Sequence, residues 1–371
     1  MYCQLRESGR VIGYSLIGFC CLNVHGLKIA FSILLFLLSL AFFLIASIPA
    51  MAVEYVHKDA SSTRSFSTLP PSSSLLKSTT ESNVHTALET VTLQLLWTHQ
   101  FEYAGFYAAQ ELGFYREEGF DVKIRPLTQG INPVDEVISG RADYGVSNSE
   151  LILAMSQHKP VLLLANLFKH SPLVVLARRD SGIRHPKDLH QKSLMTSDLD
   201  LNSAEISYMV ANGGVDLAKI QRHEHNYRVD DLVKGRVDAM TAYITNQPYQ
   251  LQEQGVDYVV IDPANYGADF YSNMLFTHAV EGQNNPGRVA AFRRASLRGW
   301  RYAMDHPREV VEIIQQKYPA NKTSAALLFE AREITKLISA DVYPLGSIDL
   351  NRIQRLINVY RQSDQLASVP E

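Results

Sequence analysis

The chain predicts an α/β fold built as two lobes, and three observations predict it. A strand, a loop, a helix and a second strand can be read in succession over residues 91–126. A ten-residue motif occurs twice, VDEVISGRAD at 134–143 and VDDLVKGRVD at 229–238, with half of the aligned positions identical. Strands and helices alternate through the middle of the chain, and from Pro286 on it is mostly helical.

The first unit organises the rest. Residues 91–96 (VTLQLL) form an apolar, β-favouring run and read as a buried strand. Residues 97–103 break the period with Trp97, His99, Gln100, Phe101 and Tyr103. A helical pattern follows over 105–112, with Phe106, Ala109 and Leu112 on one stripe, and Gly113 ends it. Residues 121–126 are the second strand. In an open parallel sheet the loop leaving the first strand lines the ligand crevice. Here it carries aromatic faces and uncharged hydrogen-bonding groups, which suit a small, planar, polar ligand. Phe101 and Phe106 stand evenly between core and ligand contact; packing alone accounts less well for Trp97 and Tyr103.

The repeat places a similar helix, Gly turn and strand in each half. Gly140 and Gly235 suit a left-handed helix cap, and strands follow at 144–146 and 239–244. Common αβ-loop grammar is the competing explanation. Further strands are expected at 160–167, 173–178, 193–196, 258–261 and 273–277, the last returning to the first lobe. Helices are expected at 185–189, 203–211, 288–305, 307–317, 324–337 and 350–362. Crossings near Pro172 and Asp269 would form a hinge that lets the lobes close on a ligand.

The N-terminus is different in kind. Residues 29–46 (IAFSILLFLLSLAFFLIA) are uncharged and apolar, follow Arg6, Arg10 and Lys28, and precede Ala50-Met51-Ala52. A secretory signal cleaved after Ala52 is the favoured reading, and an uncleaved anchor with the body outside is the alternative. Either way the body is periplasmic or extracytoplasmic, secreted or tethered to the inner membrane. Residues 53–88 are rich in Ser and Thr and read as a disordered linker. The expected division is 1–52 signal or anchor, 53–88 linker, 89–175 with 270–371 the first lobe, and 176–269 the second.

Composition narrows the function. The formal net charge is −3, so no electrostatic case for nucleic acid arises. Cys3, Cys20 and Cys21 all precede the apolar run, which leaves the body without disulfides, a thiolate nucleophile or cysteine metal ligands. No HExxH, G-x-S-x-G, P-loop or G-x-G-x-x-G pattern occurs. His223 and His225 share one face if extended, but two ligands without partners make a weak metal site; an exposed strand is the default. Residues 197–203 (SDLDLNS) begin a helix whose N–H groups suit an anion, yet the two aspartates oppose one and N-capping is favoured. Asn321-Lys322-Thr323 is a glycosylation sequon only where the source glycosylates.

The stretches LQLLWTHQFEYAGFYAAQELGFYREEGFDV, ISGRADYGVSNS, ITNQPYQL and HPREVVEIIQQKY resemble the SsuA-like and thiamine-pyrimidine-synthase-like periplasmic binding proteins. The resemblance covers about residues 91–371. It implies a type II periplasmic-binding fold, with two α/β lobes joined by a hinge around a ligand cleft. It also implies delivery of a small heterocycle, such as a thiamine pyrimidine precursor, to the permease of an ABC importer, with no cofactor and no catalytic or metal residue. Similar domains serve as extracytoplasmic sensors, and a tethered sensor is an alternative. The eukaryotic branch is instead a synthase of the thiamine pyrimidine, which adds a cysteine cluster, a lysine holding pyridoxal phosphate and a histidine consumed as substrate. Here the matching regions read Asp269-Phe270-Tyr271-Ser272-Asn273 and Val146-Ser147-Asn148-Ser149-Glu150. Pyridoxal phosphate therefore belongs only to the enzyme alternative.

Ligand contacts are expected from Trp97, Tyr103, Ser147, Asn148, Tyr243, Asn246, Tyr266 and Tyr271. Aromatic rings from both lobes would sandwich the ligand, each contact worth roughly 1 kcal/mol beyond burial. Ser and Asn would read its ring nitrogens, amine or hydroxyl. Taken singly, each tyrosine is as readily a core edge.

Overall fold

The computed structural model describes residues 87–201 and 203–362. The apolar run, the cleavage position and nearly all of the Ser/Thr-rich stretch lie outside the described residues. Two five-stranded mixed sheets form the body, each flanked by helices.

The first sheet contains β1 (Glu89–Gln94), β2 (Phe120–Arg125), β3 (Tyr144–Ser147), β4 (Val161–Phe168) and the late strand β10 (Ser272–His278), in the order β2-β1-β3-β10-β4. The second contains β5 (Leu173–Arg178), β6 (Ser193–Thr196), β7 (Gln221–Glu224), β8 (Ala239–Tyr243) and β9 (Tyr258–Ile261), in the order β7-β6-β8-β5-β9. The orders are equivalent. β1 pairs parallel with β2 and β3, as β6 does with β7 and β8. β10 and β5, the strands that follow the two crossings, run antiparallel to both neighbours.

The sequence repeat has a matching physical role in each sheet. Asp143 accepts from the Thr92 N–H of β1 at 2.8 Å, and Asp238 accepts from the Ser193 N–H of β6 at 2.9 Å. Each aspartate thus joins the start of the central strand to its parallel neighbour. Gly140 and Gly235 both take positive φ, 73° and 66°, which lets the helix chain reverse into the strand without a Cβ penalty. Arg141 pairs with Glu136 and Arg236 with Asp231, so the rest of the motif also recurs as contact.

The largest cluster of buried apolar side chains lies in the first lobe. Helix Pro286–Asp305 lies on helix Ala104–Glu111, with Gly299 against Gly105 so closely that a Cβ on Gly299 would sit 2.1 Å from the Gly105 carbonyl. Trp300 is fully buried, edge-on to both Phe106 and Phe168. Phe101 and Phe106 are both fully buried in this cluster. Helix Leu350–Gln362 packs on helix Glu150–Ser156 of the first lobe and Ala204–Asn212 of the second. Four short helices, Phe114–Glu117, Glu150–Ser156, Gln247–Glu253 and Ala279–Asn284, lie beyond those expected from periodicity. Among the described residues no helix is long and apolar enough to cross a membrane.

Candidate functional site

A chamber of about 210 Å³ opens between the lobes. Its walls come from six loops, each leaving the carboxyl end of a parallel strand. From the first lobe come Trp97 and Glu102 after β1, Ile131 and Asn132 after β2, and Asn148 and Glu150 after β3. From the second come Leu199 and Asp200 after β6, His225 and Tyr227 after β7, and Tyr243 and Asn246 at the end of β8 or just beyond it. This is where parallel α/β sheets place ligands, because strand ends expose diverging loops there. Asn148 and Tyr243 hold equivalent places in the two copies of the repeat.

Four of the expected residues, Trp97, Asn148, Tyr243 and Asn246, line this one chamber. The other four lie elsewhere. Tyr103 and Ser147 are buried within the first lobe and are not among the walls. Tyr103 closes a short 3-10 turn, Phe101–Tyr103, and that turn brings Glu102 to the chamber instead. Tyr266 packs against the second lobe's core, its hydroxyl 3.3 Å from His185 Nδ1. Tyr271 lies under the Arg352 guanidinium, 4.1 Å from ring centroid to Cζ, on a separate cavity beside the crossings.

The most informative wall residues were not foreseen. Tyr227 faces Trp97 across the cleft, with ring centroids 5.2 Å apart. Tyr227 adopts a φ of 60°, a conformation costly for a bulky side chain. His225 holds it there: the ring stacks at 4.5 Å, and Nδ1 accepts from the Tyr227 N–H at 2.8 Å. His225 Nε2 then donates to the Thr241 carbonyl at 2.7 Å, so both ring nitrogens are engaged in one neutral tautomer. The two histidines therefore part: His223 stays on the exposed edge strand while His225 turns inward. Near 197–203, Ser197 Oγ accepts from the Asp200 N–H and Ser203 Oγ from that of Ile206, both capping helices. Asp200 itself accepts from Thr241 Oγ1 at 2.9 Å.

Charge gives the chamber its character. Glu102, Glu150 and Asp200 line it, and no lysine or arginine stands among its described walls. Burial pushes the Glu102 carboxyl up to about 7, against the opposing hydrogen bond from Gln100 Nε2 at 2.6 Å. Burial, then Asp200, also raises Glu150. Burial and the nearby carboxylates hold the Tyr243 hydroxyl well above its ordinary range, so it stays a donor. Behind the wall, Lys322 Nζ bonds Glu330, Gln100 Oε1 at 2.8 Å and Asn246 Oδ1 at 3.1 Å. This lysine ties the first lobe to the second beneath the chamber floor.

Two α/β lobes of equivalent strand order, with a cleft at their strand ends, define a protein of the periplasmic-binding-protein fold. The aliphatic sulphonate-binding protein SsuA of Escherichia coli superposes with a TM-score of 0.58 over 76% of this chain and 89% of that one, at 12% identity. More narrowly, the chain belongs to the NMT1/THI5-like family, whose model matches residues 100–310. It is similar to the formylaminopyrimidine-binding protein of Halalkalibacterium halodurans, 28% identical over 62% of this chain and 70% of that protein. It is also similar to the riboflavin-binding protein RibY of Chloroflexus aurantiacus, 24% identical over 64% of this chain and 69% of that protein.

Proposed function

We propose that this chain is an exported solute-binding protein that closes on a small planar heterocycle and delivers it to the permease of an ABC importer. The ligand is uncharged or cationic and rich in hydrogen-bond donors, and an aminopyrimidine precursor of thiamine has that chemistry. One observation carries the reading: the chamber combines aromatic faces from both lobes with three carboxyl side chains and no lysine or arginine among its described walls. An amino group and ring N–H donate to carboxylates, and the flat ring stacks on Trp97, Tyr227 or Tyr243. A sulfonate or phosphate would be desolvated beside like charges, so the ligand of the sulphonate-binding neighbour does not suit this site. Names of relatives that bind formylaminopyrimidine and riboflavin support a flat nitrogen heterocycle. Export by way of residues 1–52, cleaved or retained as a tether, agrees with that role.

Thermal shift and calorimetry with the purified body test this. 4-Amino-5-hydroxymethyl-2-methylpyrimidine, its formylaminomethyl analogue, thiamine and ethanesulfonate form the panel. An aminopyrimidine at about 100 times its Kd should stabilise by about 2.7 kcal/mol, with ethanesulfonate inert. Stabilisation by the sulfonate alone, or by none of these heterocycles nor of the flavins and cytosine probes used below, overturns the reading.

A further inference from the structure

A second chamber, of about 700 Å³, adjoins the first and shares Asn148, Asp200 and Tyr243 as a common wall. It lacks the Trp97–Tyr227 pair and is lined instead by hydroxyl, amide and carboxyl groups, among them Ser171, Ser207, Gln157 and Glu205. Glu205 comes from helix Ala204–Asn212 of the second lobe and is only 2% exposed. Ser149 Oγ of the first lobe donates to its Oε1 at 2.9 Å, while Oε2 is buried with no partner in full hydrogen-bond geometry, the Ser171 hydroxyl lying close by. A buried carboxyl oxygen left unpaired is costly, and a bound group that pairs it recovers that cost. Ser207 Oγ donates to the Ser203 carbonyl at 2.7 Å, which leaves its lone pairs as acceptors.

We infer that the second chamber receives a polyhydroxylated tail attached to the planar ring, so that the ligand class is a heterocycle bearing a sugar-like or sugar-alcohol chain. This deepens the proposed function and rests on it. The volume exceeds what a one-carbon substituent fills. The wall offers acceptors and donors together, and a hydroxyl group satisfies both at once whereas an ammonium only donates. Burial lifts the Glu205 carboxyl to about 7, which lets it donate to or accept from a hydroxyl near neutral pH.

Matched pairs that differ only in the tail test the inference by calorimetry: riboflavin against lumiflavin, and cytidine against cytosine. In at least one pair the hydroxylated member should bind about tenfold or more tightly, the worth of one or two hydrogen bonds. Glu205→Gln, and independently the chamber-filling Ser207→Phe, should each bring that member down to the affinity of its tail-less partner. Neither residue lines the aromatic chamber, so the tail-less ring should be unaffected. Equal affinity within both pairs in the unmodified protein overturns the inference and leaves the heterocycle reading standing. So does tighter binding of an aminomethyl-pyrimidine than of either hydroxylated probe. Variants that weaken both members of a pair equally also overturn it. Failure of every ring, tailed or not, overturns the underlying reading and this inference with it.

Discussion

Trp97 of the first lobe and Tyr227 of the second meet directly, their rings 5.2 Å apart and tilted by 55°. A second ring pair, Tyr249 of the second lobe and Phe329 of the first at 5.5 Å, and the polar bridge from Lys322 to Asn246 also join the lobes here. Tyr227 is 48% exposed and held in the left-handed region by its N–H bond to His225 and the stacked imidazole, with Ser197 near its hydroxyl. Tyr227→Ala should therefore leave the melting temperature of the unliganded protein nearly unchanged while weakening ring binding about threefold to tenfold. Tyr227→Gly, which removes the φ penalty, should be at least as stable as Tyr227→Ala. Denaturant unfolding and calorimetry read both; a large stability loss in the alanine variant with intact affinity contradicts the assignment.

Lys322 and Glu330 form a buried pair beneath the chamber, with Glu330 only 3% exposed. Removing one partner strands the other, so Lys322→Met should cost about 3 kcal/mol or more in urea unfolding. The double variant Lys322→Met, Glu330→Gln should recover much of that loss. A double variant no better than the single one would show that the lysine acts mainly through Gln100 and Asn246.

The pH dependence of stability has a definite sign. Glu102 and Glu205 are raised from 4.5 to about 7 by burial, so each binds more protons folded than unfolded in that interval. Their contribution is complete below the unfolded value and is lost as pH rises through about 7. The melting temperature of the unliganded protein should fall over this window, and Glu102→Gln or Glu205→Gln should flatten the fall. Variants whose profiles parallel the unmodified protein would remove these groups from the account.

The repeated aspartates offer a comparison between lobes. Asp143 bonds the Thr92 N–H and also the Arg288 guanidinium at 3.0 Å, whereas Asp238 bonds the Ser193 N–H and hydroxyl. Asp238→Ala should cost about 1–3 kcal/mol and Asp143→Ala somewhat more, since it also removes one of the three carboxylates around the Arg288 guanidinium, Glu89 and Glu281 remaining. Hydrogen exchange should loosen the sheet that carries the changed residue first; equal loosening of both sheets would argue against the local role.

Much of the fold was legible because its signals are local. Strands such as Leu173–Arg178 and Ser193–Thr196 coincide with apolar runs between turn residues, and the Gly-Arg-x-Asp repeat marks the same turn in both sheets. Helices Glu150–Ser156 and Gln247–Glu253 were not legible, since two turns are too short to show a period. Of the site, Trp97, Asn148, Tyr243 and Asn246 could be named because they stand at or just past strand ends. Tyr266 and Tyr271 stand in similar loops, but those loops face the second lobe's core and the crossings. The chain alone holds no sign of which loops share an opening.

What the linear chain determined by itself is the two-lobed α/β plan and the general region of the cleft, because hydrophobic period, helix caps and turn residues act over a few neighbours. Only the tertiary structure decided the character of the cleft. Lys322 reaches Gln100 across 222 positions and Tyr227 reaches Trp97 across the lobes. Glu102 and Glu205 carry unusual protonation only because packing shuts them from water. Burial and long-range pairing depend on where remote segments come to rest, and no local pattern encodes that.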